Sequence, residues 1–163
     1  MTTLSQPDVP SRHVDNSTPN GESAMNRYIA TVTTLAGLAT ATIGVWGLVH
    51  PTSFGEFAGF GYHEHFLHDI GAFQLGLGVT LLLAALWSDA LATVLAGFLV
   101  ANTAHTVNHA VDLHLGGDAW QAWALGAVSV AVAVALVLRF RQLGNSTTEP
   151  TRTPERPDAD VRG

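Results

Sequence analysis

The chain has 163 residues, of which 47% are hydrophobic and only 12% are charged, and its mean hydropathy is +0.26. A soluble domain carries about twice that share of charged residues, so the composition favours a membrane protein. The net charge of −6 and the lack of a basic patch argue against nucleic-acid binding. The absence of cysteine excludes disulfides, thiolate metal sites and cysteine nucleophiles.

The basic residues are confined to the two ends of the chain. There is no Lys, and no Arg lies between Tyr28 and Leu138. The seven arginines are Arg12, Arg27, Arg139, Arg141, Arg152, Arg156 and Arg162. Residues 1–26 and 143–163 are rich in Ser, Thr, Pro and Asp, which predicts disordered polar tails around a single domain at 27–142.

Four apolar segments divide that domain, at about 28–49, 66–87, 90–114 and 120–140. Each is close to the roughly 20 residues that a helix needs to cross a bilayer. Lipid cannot hydrogen-bond to an exposed backbone, so the spanning segments should be helical. The sequence therefore predicts an all-α fold, an integral membrane four-helix bundle.

The first span carries a stripe of small, weakly polar residues that ends at His50. The stripe consists of Thr33, Gly37, Thr40, Gly44 and Gly47.

In the loop after the first span, Phe54, Phe57 and Phe60 recur at nearly helical spacing, and Ser53 and Glu56 have the spacing of a capping box. This pattern predicts a short amphipathic helix on the outer membrane surface. A plain aromatic-rich loop is the alternative interpretation.

The segment HEHFLHD lies at the start of the second span and contains His65, His68 and Asp69. On a helix they share an arc of about 100° with Ala72 and Gly76. The small residues continue the same face into the span, which favours close packing against another helix.

The third span has the most pronounced polar pattern. Five polar residues form this pattern: Asn102, His105, Asn108, His109 and Asp112. On a helix they fall within about 120° of arc, and His105 and His109 are one turn apart. Polar groups inside a membrane span are costly and commonly mark a site. Two imidazoles one turn apart can both reach one ion.

The fourth span is the most apolar, so the first three spans are expected to surround the polar residues.

Arg27 precedes the first span, and Arg139 and Arg141 close the fourth. Because positive residues in short flanking segments stay in the cytoplasm, we expect a multi-pass protein of the cell membrane with both termini cytoplasmic. The histidine clusters then lie near the outer surface.

These clusters predict a site for a divalent metal, Zn²⁺, Fe²⁺ or Mn²⁺, with or without redox chemistry. The predicted ligands are His68, Asp69, His105, His109 and Asp112. Four further residues, His50, His65, Asn102 and Asn108, are predicted to support them. No pattern identifies a catalytic residue or a reaction, so the sequence does not decide whether the protein is an enzyme.

Three alternatives to a metal site remain open. The paired His and Asp also suit a proton relay or a proton-linked carrier. They could also form a structural polar network in a membrane subunit that binds a partner or a second copy of the chain. Haem is disfavoured, because its propionates need cations and the predicted outer side has no Arg or Lys.

The segment HDIGAFQLGLGVTLLL, which begins at His68, has four spans around it and an aromatic loop before it. These features resemble the DoxX-like group of small bacterial membrane proteins over about residues 27–142. The resemblance implies a bacterial membrane protein. The group includes a membrane subunit associated with quinone-linked sulfur oxidation. No catalytic residue of that group maps onto a position of this chain.

Overall fold

The structure is a computed structural model that describes residues 19–59, 61–115 and 118–146. Within these residues all regular structure is helical, which confirms the all-α prediction. The helices are α1 (Pro19–Val49), α2 (Pro51–Ala58), α3 (Glu64–Leu86), α4 (Leu91–Val111) and α5 (Ala119–Ser146), with a short 3₁₀ turn at Leu113–Leu115. Each of the four predicted spans corresponds to one long helix.

The first and last residues of the helical domain differ from the prediction. Helix α1 begins at Pro19, and α5 continues to Ser146, so residues 19–26 and 143–146 are helical rather than parts of disordered tails. A proline at the first helical position and the acidic Glu22 in the first turn both favour a helix start there. The remaining parts of the predicted tails, 1–18 and 147–163, lie outside the described residues.

Helices α1 and α3 pack closely because glycines line their contact. A Cβ atom built on Gly44 would lie 2.3 Å from the backbone nitrogen of Leu75, and one on Gly78 would lie 2.4 Å from that of Ala41. The predicted small stripe of α1 is confirmed as a buried face. On α3, however, the packing face contains Gly71 and Gly78, whereas the predicted Ala72 and Gly76 are exposed.

At one end of the bundle, the start of α1, the α3–α4 turn and the end of α5 lie close together. The amide of Gln142 donates a hydrogen bond to the side chain of Asn26 on α1. The guanidinium of Arg139 donates to the backbone oxygen of Ser88, at 2.6 Å, in the turn between α3 and α4. A core of Ile29, Leu81, Ala84, Leu91, Leu95, Phe98, Val132 and Ala135 draws on all four long helices. We call this the arginine end.

The opposite end is bridged by α2, which confirms the short helix predicted in the first loop. The ring of Phe57 lies between those of Trp46 on α1, at a centroid distance of 4.9 Å, and Trp120 on α5, at 5.7 Å. The predicted capping box is wrong, since α2 begins at Pro51 and Ser53 lies inside it. The Ser53 hydroxyl instead accepts a hydrogen bond from the Trp46 indole at 2.9 Å. We call this the α2 end.

Three of the described helices are long and apolar enough to cross a membrane, judged by length and composition. They comprise Gly21–Val49, Glu64–Leu86 and Ala119–Asn145. Helix α4 is not among them, because its second half carries the polar residues described above. The membrane crossing of α4 therefore stays a prediction.

Candidate functional site

A cavity of about 460 Å³ opens between the end of α2 and the second half of α4. Its wall from α4 carries four of the predicted site residues, His105, Asn108, His109 and Asp112. Its remaining lining consists of Ala58, Gly59, Ala101, Ala104 and Leu115. The helical spacing of these four residues places them on one wall.

The two histidines of α4 form the centre of that wall. The rings of His105 and His109 stack in parallel, with centroids 4.8 Å apart and an interplanar angle of 1°. Both residues are half-buried. Asp112 follows at the C-cap of α4, where its backbone N–H donates to the oxygen of Asn108 at 2.8 Å. Two imidazoles and a carboxylate thus follow one another along the second half of α4.

Asn102, predicted to belong to the same polar site, instead joins α4 to α5. Its amide nitrogen donates hydrogen bonds to the backbone oxygen of Leu125 and to the hydroxyl of Ser129, both at 2.8 Å. Thr103 donates to the same hydroxyl at 3.3 Å. Asn102 lies at the edge of the polar arc, on the side that packs against α5, so its role is to connect two helices.

The predicted residues of α3 do not line the cavity. The Nε2 atom of His65 lies 3.6 Å from Oδ2 of Asp69, with side chains 86% and 57% exposed, and His68 is half-buried nearby on the same helix. Helices α3 and α4 share a core near their turn, through residues such as Leu81 and Leu95. At the other end the cavity wall facing α4 comes from α2. Among the described residues no group of three or more His, Asp or Glu has a geometry that could hold a metal ion.

His50, the remaining predicted residue, is the exposed N-cap of α2, and its side chain makes no capping hydrogen bond. It lies at one end of a second groove that follows α1 and is otherwise mostly apolar. His50 is therefore separate from the cavity residues of α4, among which it was predicted to play a supporting part.

Sequence reasoning missed Gln121, which holds α2 against α5. Its side chain is 6% exposed. The amide nitrogen donates to the backbone oxygen of Phe57 at 2.9 Å, and the amide oxygen accepts from the backbone N–H of Asp118 at 3.2 Å. The signal was a single amide residue at the start of an otherwise apolar helix. Since Phe57 is next to Ala58, this contact positions the α2 wall of the cavity.

The charge around the cavity is acidic. Glu56, Glu64 and Asp118 are exposed on the elements at the α2 end, in addition to Asp69 and Asp112. No Arg or Lys occurs anywhere between Tyr28 and Leu138. A cavity in this field attracts cations and repels anions.

Comparison of the chain with protein families, with curated proteins and with solved structures finds no match. The resemblance to the DoxX-like group therefore stays a prediction. The class of protein that the fold defines is an all-helical chain with helices of membrane-spanning length.

Proposed function

We propose that the protein is a four-span membrane protein that binds a divalent cation in the cavity between α2 and α4. The observation that carries the proposal is the parallel pair of His105 and His109, which present their imidazoles side by side to one cavity. Imidazole is a preferred ligand for Zn²⁺ and Fe²⁺, and a carboxylate also suits Mn²⁺.

The four-span topology follows from where the helix ends lie. Helix α3 ends at the arginine end, where Ser88 meets Arg139. Helix α5 begins at the α2 end, where Trp120 meets Phe57. If α3 and α5 both cross the bilayer, the chain between them must return across it, and α4 is the only long described helix available to do so. Its polar residues are then tolerated because they face a neighbouring helix or a cavity rather than lipid.

The arginines support a cytoplasmic position for the arginine end. Arg27 lies near the start of α1, and Arg139 and Arg141 lie near the end of α5. Positive residues next to spans favour the cytoplasmic side. In a bacterial cell membrane, both termini would then be cytoplasmic, and the cavity would open near the outer surface.

The cation would be held mainly by α4. Rotation about the side-chain bonds of His105 and His109 turns the stacked rings so that one nitrogen of each can point to a shared ion. Asp112 supplies a carboxylate one turn further along the helix, and Asn108 can hydrogen-bond to a ligand from between them. With Fe²⁺ or Mn²⁺ bound, the site would also support redox chemistry. The His65–Asp69 pair on α3 is outside this set.

Metal analysis of the purified protein tests this proposal. Wild-type protein should retain about one divalent cation per chain, whereas His109→Ala and His109→Gln should both lose it, because an amide is a poor ligand for these metals. His63→Gln is the matched control, since His63 is exposed at the start of α3 and away from the cavity. Unchanged metal content in His109→Gln would contradict the proposal. It would favour a structural polar network, in which an amide replaces an imidazole.

A further inference from the structure

The α4 wall of the cavity carries polar groups whose hydrogen-bonding capacity is unused. Among the described residues, the side chains of His105, Asn108, His109 and Asp112 make no hydrogen bond. The two imidazoles contact each other by stacking, which leaves their nitrogen atoms available. A carboxylate, an amide oxygen and the unprotonated nitrogen of a neutral imidazole all accept hydrogen bonds. The wall therefore offers several acceptors to a ligand that carries donors.

The lining changes from polar to apolar along α4. Asp112 lies at the C-cap of the helix, and Ala104 and Ala101 lie further back along it. At about 1.5 Å of rise per residue, Ala101 is roughly 16 Å from Asp112 along the helix axis. Ala58 at the end of α2 adds a further small apolar side chain. The cavity thus fits an elongated ligand with its polar head at Asp112 and its apolar body near the alanines.

The volume of the cavity is that of a small-molecule site. It encloses about 460 Å³. Sites for small organic molecules commonly enclose about 300–1,000 Å³ and combine a mainly apolar lining with a few polar groups. A short alkyl chain with one polar group is therefore a suitable occupant.

The charges around the cavity select a cationic head group. Asp112 lies in the wall, and Glu56 and Asp118 are exposed at the same end of the bundle. No Arg or Lys occurs between Tyr28 and Leu138 to attract an anion. A charged group is taken out of water at low cost only when it is paired with an opposite charge, and here the available partner is a carboxylate.

From these features we propose that the cavity binds a primary organic ammonium ion with a short alkyl body. The three N–H donors of the ammonium group are directed to the carboxylate of Asp112 and to acceptors of His109 and Asn108. The alkyl body packs against Ala104 and Ala58. This proposal goes beyond the divalent cation and does not depend on it, because hydrogen bonds and one ion pair hold the amine directly. A divalent cation in the same cavity would compete with the amine for Asp112.

Isothermal titration calorimetry with butylamine tests the proposal, on full-length protein in detergent at neutral pH with a chelator present. Butylamine is then protonated, and divalent cations are absent. The wild type should give saturable binding, after subtraction of the heat measured with protein-free micelles. Butyrate should not bind, and butan-1-ol should bind at least about tenfold more weakly, because it lacks the charge that pairs with Asp112. No saturable binding of butylamine, or equal affinity for butan-1-ol, would overturn the proposal.

Asp112→Asn tests the position of the head group. It should weaken butylamine binding by about tenfold or more, since the ion pair is lost while an exposed side chain of the same size remains. Asp69→Asn is the matched control, because it removes the same charge from an exposed position on α3 outside the cavity lining. Asp69→Asn should bind as the wild type does. Equal losses in the two variants would show attraction by the overall charge alone and would reject the assigned site.

Two further variants test the position of the alkyl body. Ala104→Phe fills the cavity from α4, and Ala58→Leu narrows it from α2. Both should weaken butylamine binding by about tenfold or more, whereas Ala110→Phe, exposed on α4 outside the cavity lining, should not. Wild-type affinity in both cavity variants would overturn the proposal.

The amine and the divalent cation can fail separately. Butylamine binding in chelator, by a protein that retains no metal after purification, would support the amine site and reject the cation site. Retained metal without butylamine binding would do the reverse.

Discussion

At the scale of single residues, the polar side chains at the α2 end have two different roles. The amide of Asn102 donates hydrogen bonds to Leu125 and Ser129, and the amide of Gln121 donates one to Phe57. Each amide therefore connects two helices. His105 and His109 contact each other and face a cavity. Because the amides already account for local connection, the histidine pair is the part of this polar region that is available for a ligand.

We expect Gln121→Leu to destabilise the protein. The substitution keeps the size and helix propensity of the side chain but leaves the backbone oxygen of Phe57 and the backbone N–H of Asp118 without their partner. A buried polar group that loses its hydrogen bond costs about 1–3 kcal/mol. The melting temperature in detergent should therefore fall relative to that of the wild type.

Gln74→Leu is the matched control for this change. Gln74 is half-buried on α3, and no hydrogen bond of its side chain occurs among the described residues. The melting temperature of Gln74→Leu should equal or exceed that of the wild type. Equal losses in the two variants would mean that Gln121 contributes only as any polar residue would, without a positioning role.

At the scale of helices, the sequence predicted the four long helices, the short helix after the first span and the small face of α1. These follow from hydrophobic length and from side-chain spacing, which are local properties. The packing face of α3 could not be chosen in the same way, because Gly71 and Gly78 lie on one side of it and Ala72 and Gly76 on another. Likewise, no local pattern indicates that α2, rather than α3, supplies the cavity wall facing His109.

Two glycines of α3 give a test of its packing face. Gly78→Ala should destabilise the bundle, since the added Cβ would lie within 2.4 Å of the α1 backbone at Ala41. Overpacking of this kind costs about 1–3 kcal/mol. At Gly76 nothing lies within 4 Å of an added Cβ, so Gly76→Ala should be neutral or stabilise the helix by up to about 1 kcal/mol.

The thermal unfolding of the two single variants in detergent tests this prediction. A larger loss for Gly76→Ala than for Gly78→Ala would reverse the assignment of the two faces. It would also indicate that the exposed face of α3 is covered by another chain in the assembled protein.

At the scale of the whole molecule, the contacts at the two ends of the bundle constrain how it can lie in a membrane. Asn26, the α3–α4 turn and Gln142 meet at one end, and α2 bridges α1 to α5 at the other. With four spans both chain ends lie on one side of the bilayer, whereas with three they lie on opposite sides. In the proposed four-span topology, the arginines, all near the chain ends, would place that shared side in the cytoplasm.

Single cysteines test this topology directly, because the chain contains none of its own. In intact cells, Ser17→Cys, Ser88→Cys and Ser146→Cys should resist a membrane-impermeant thiol reagent, and Gly117→Cys should react. Permeabilised cells serve as the control, in which all four should react. Labelling of only one terminus would require an odd number of spans and would place α4 outside the bilayer. Labelling of both termini with protection of Gly117→Cys would keep four spans but invert the protein, so that the cavity beside His105 and His109 would open on the cytoplasmic side.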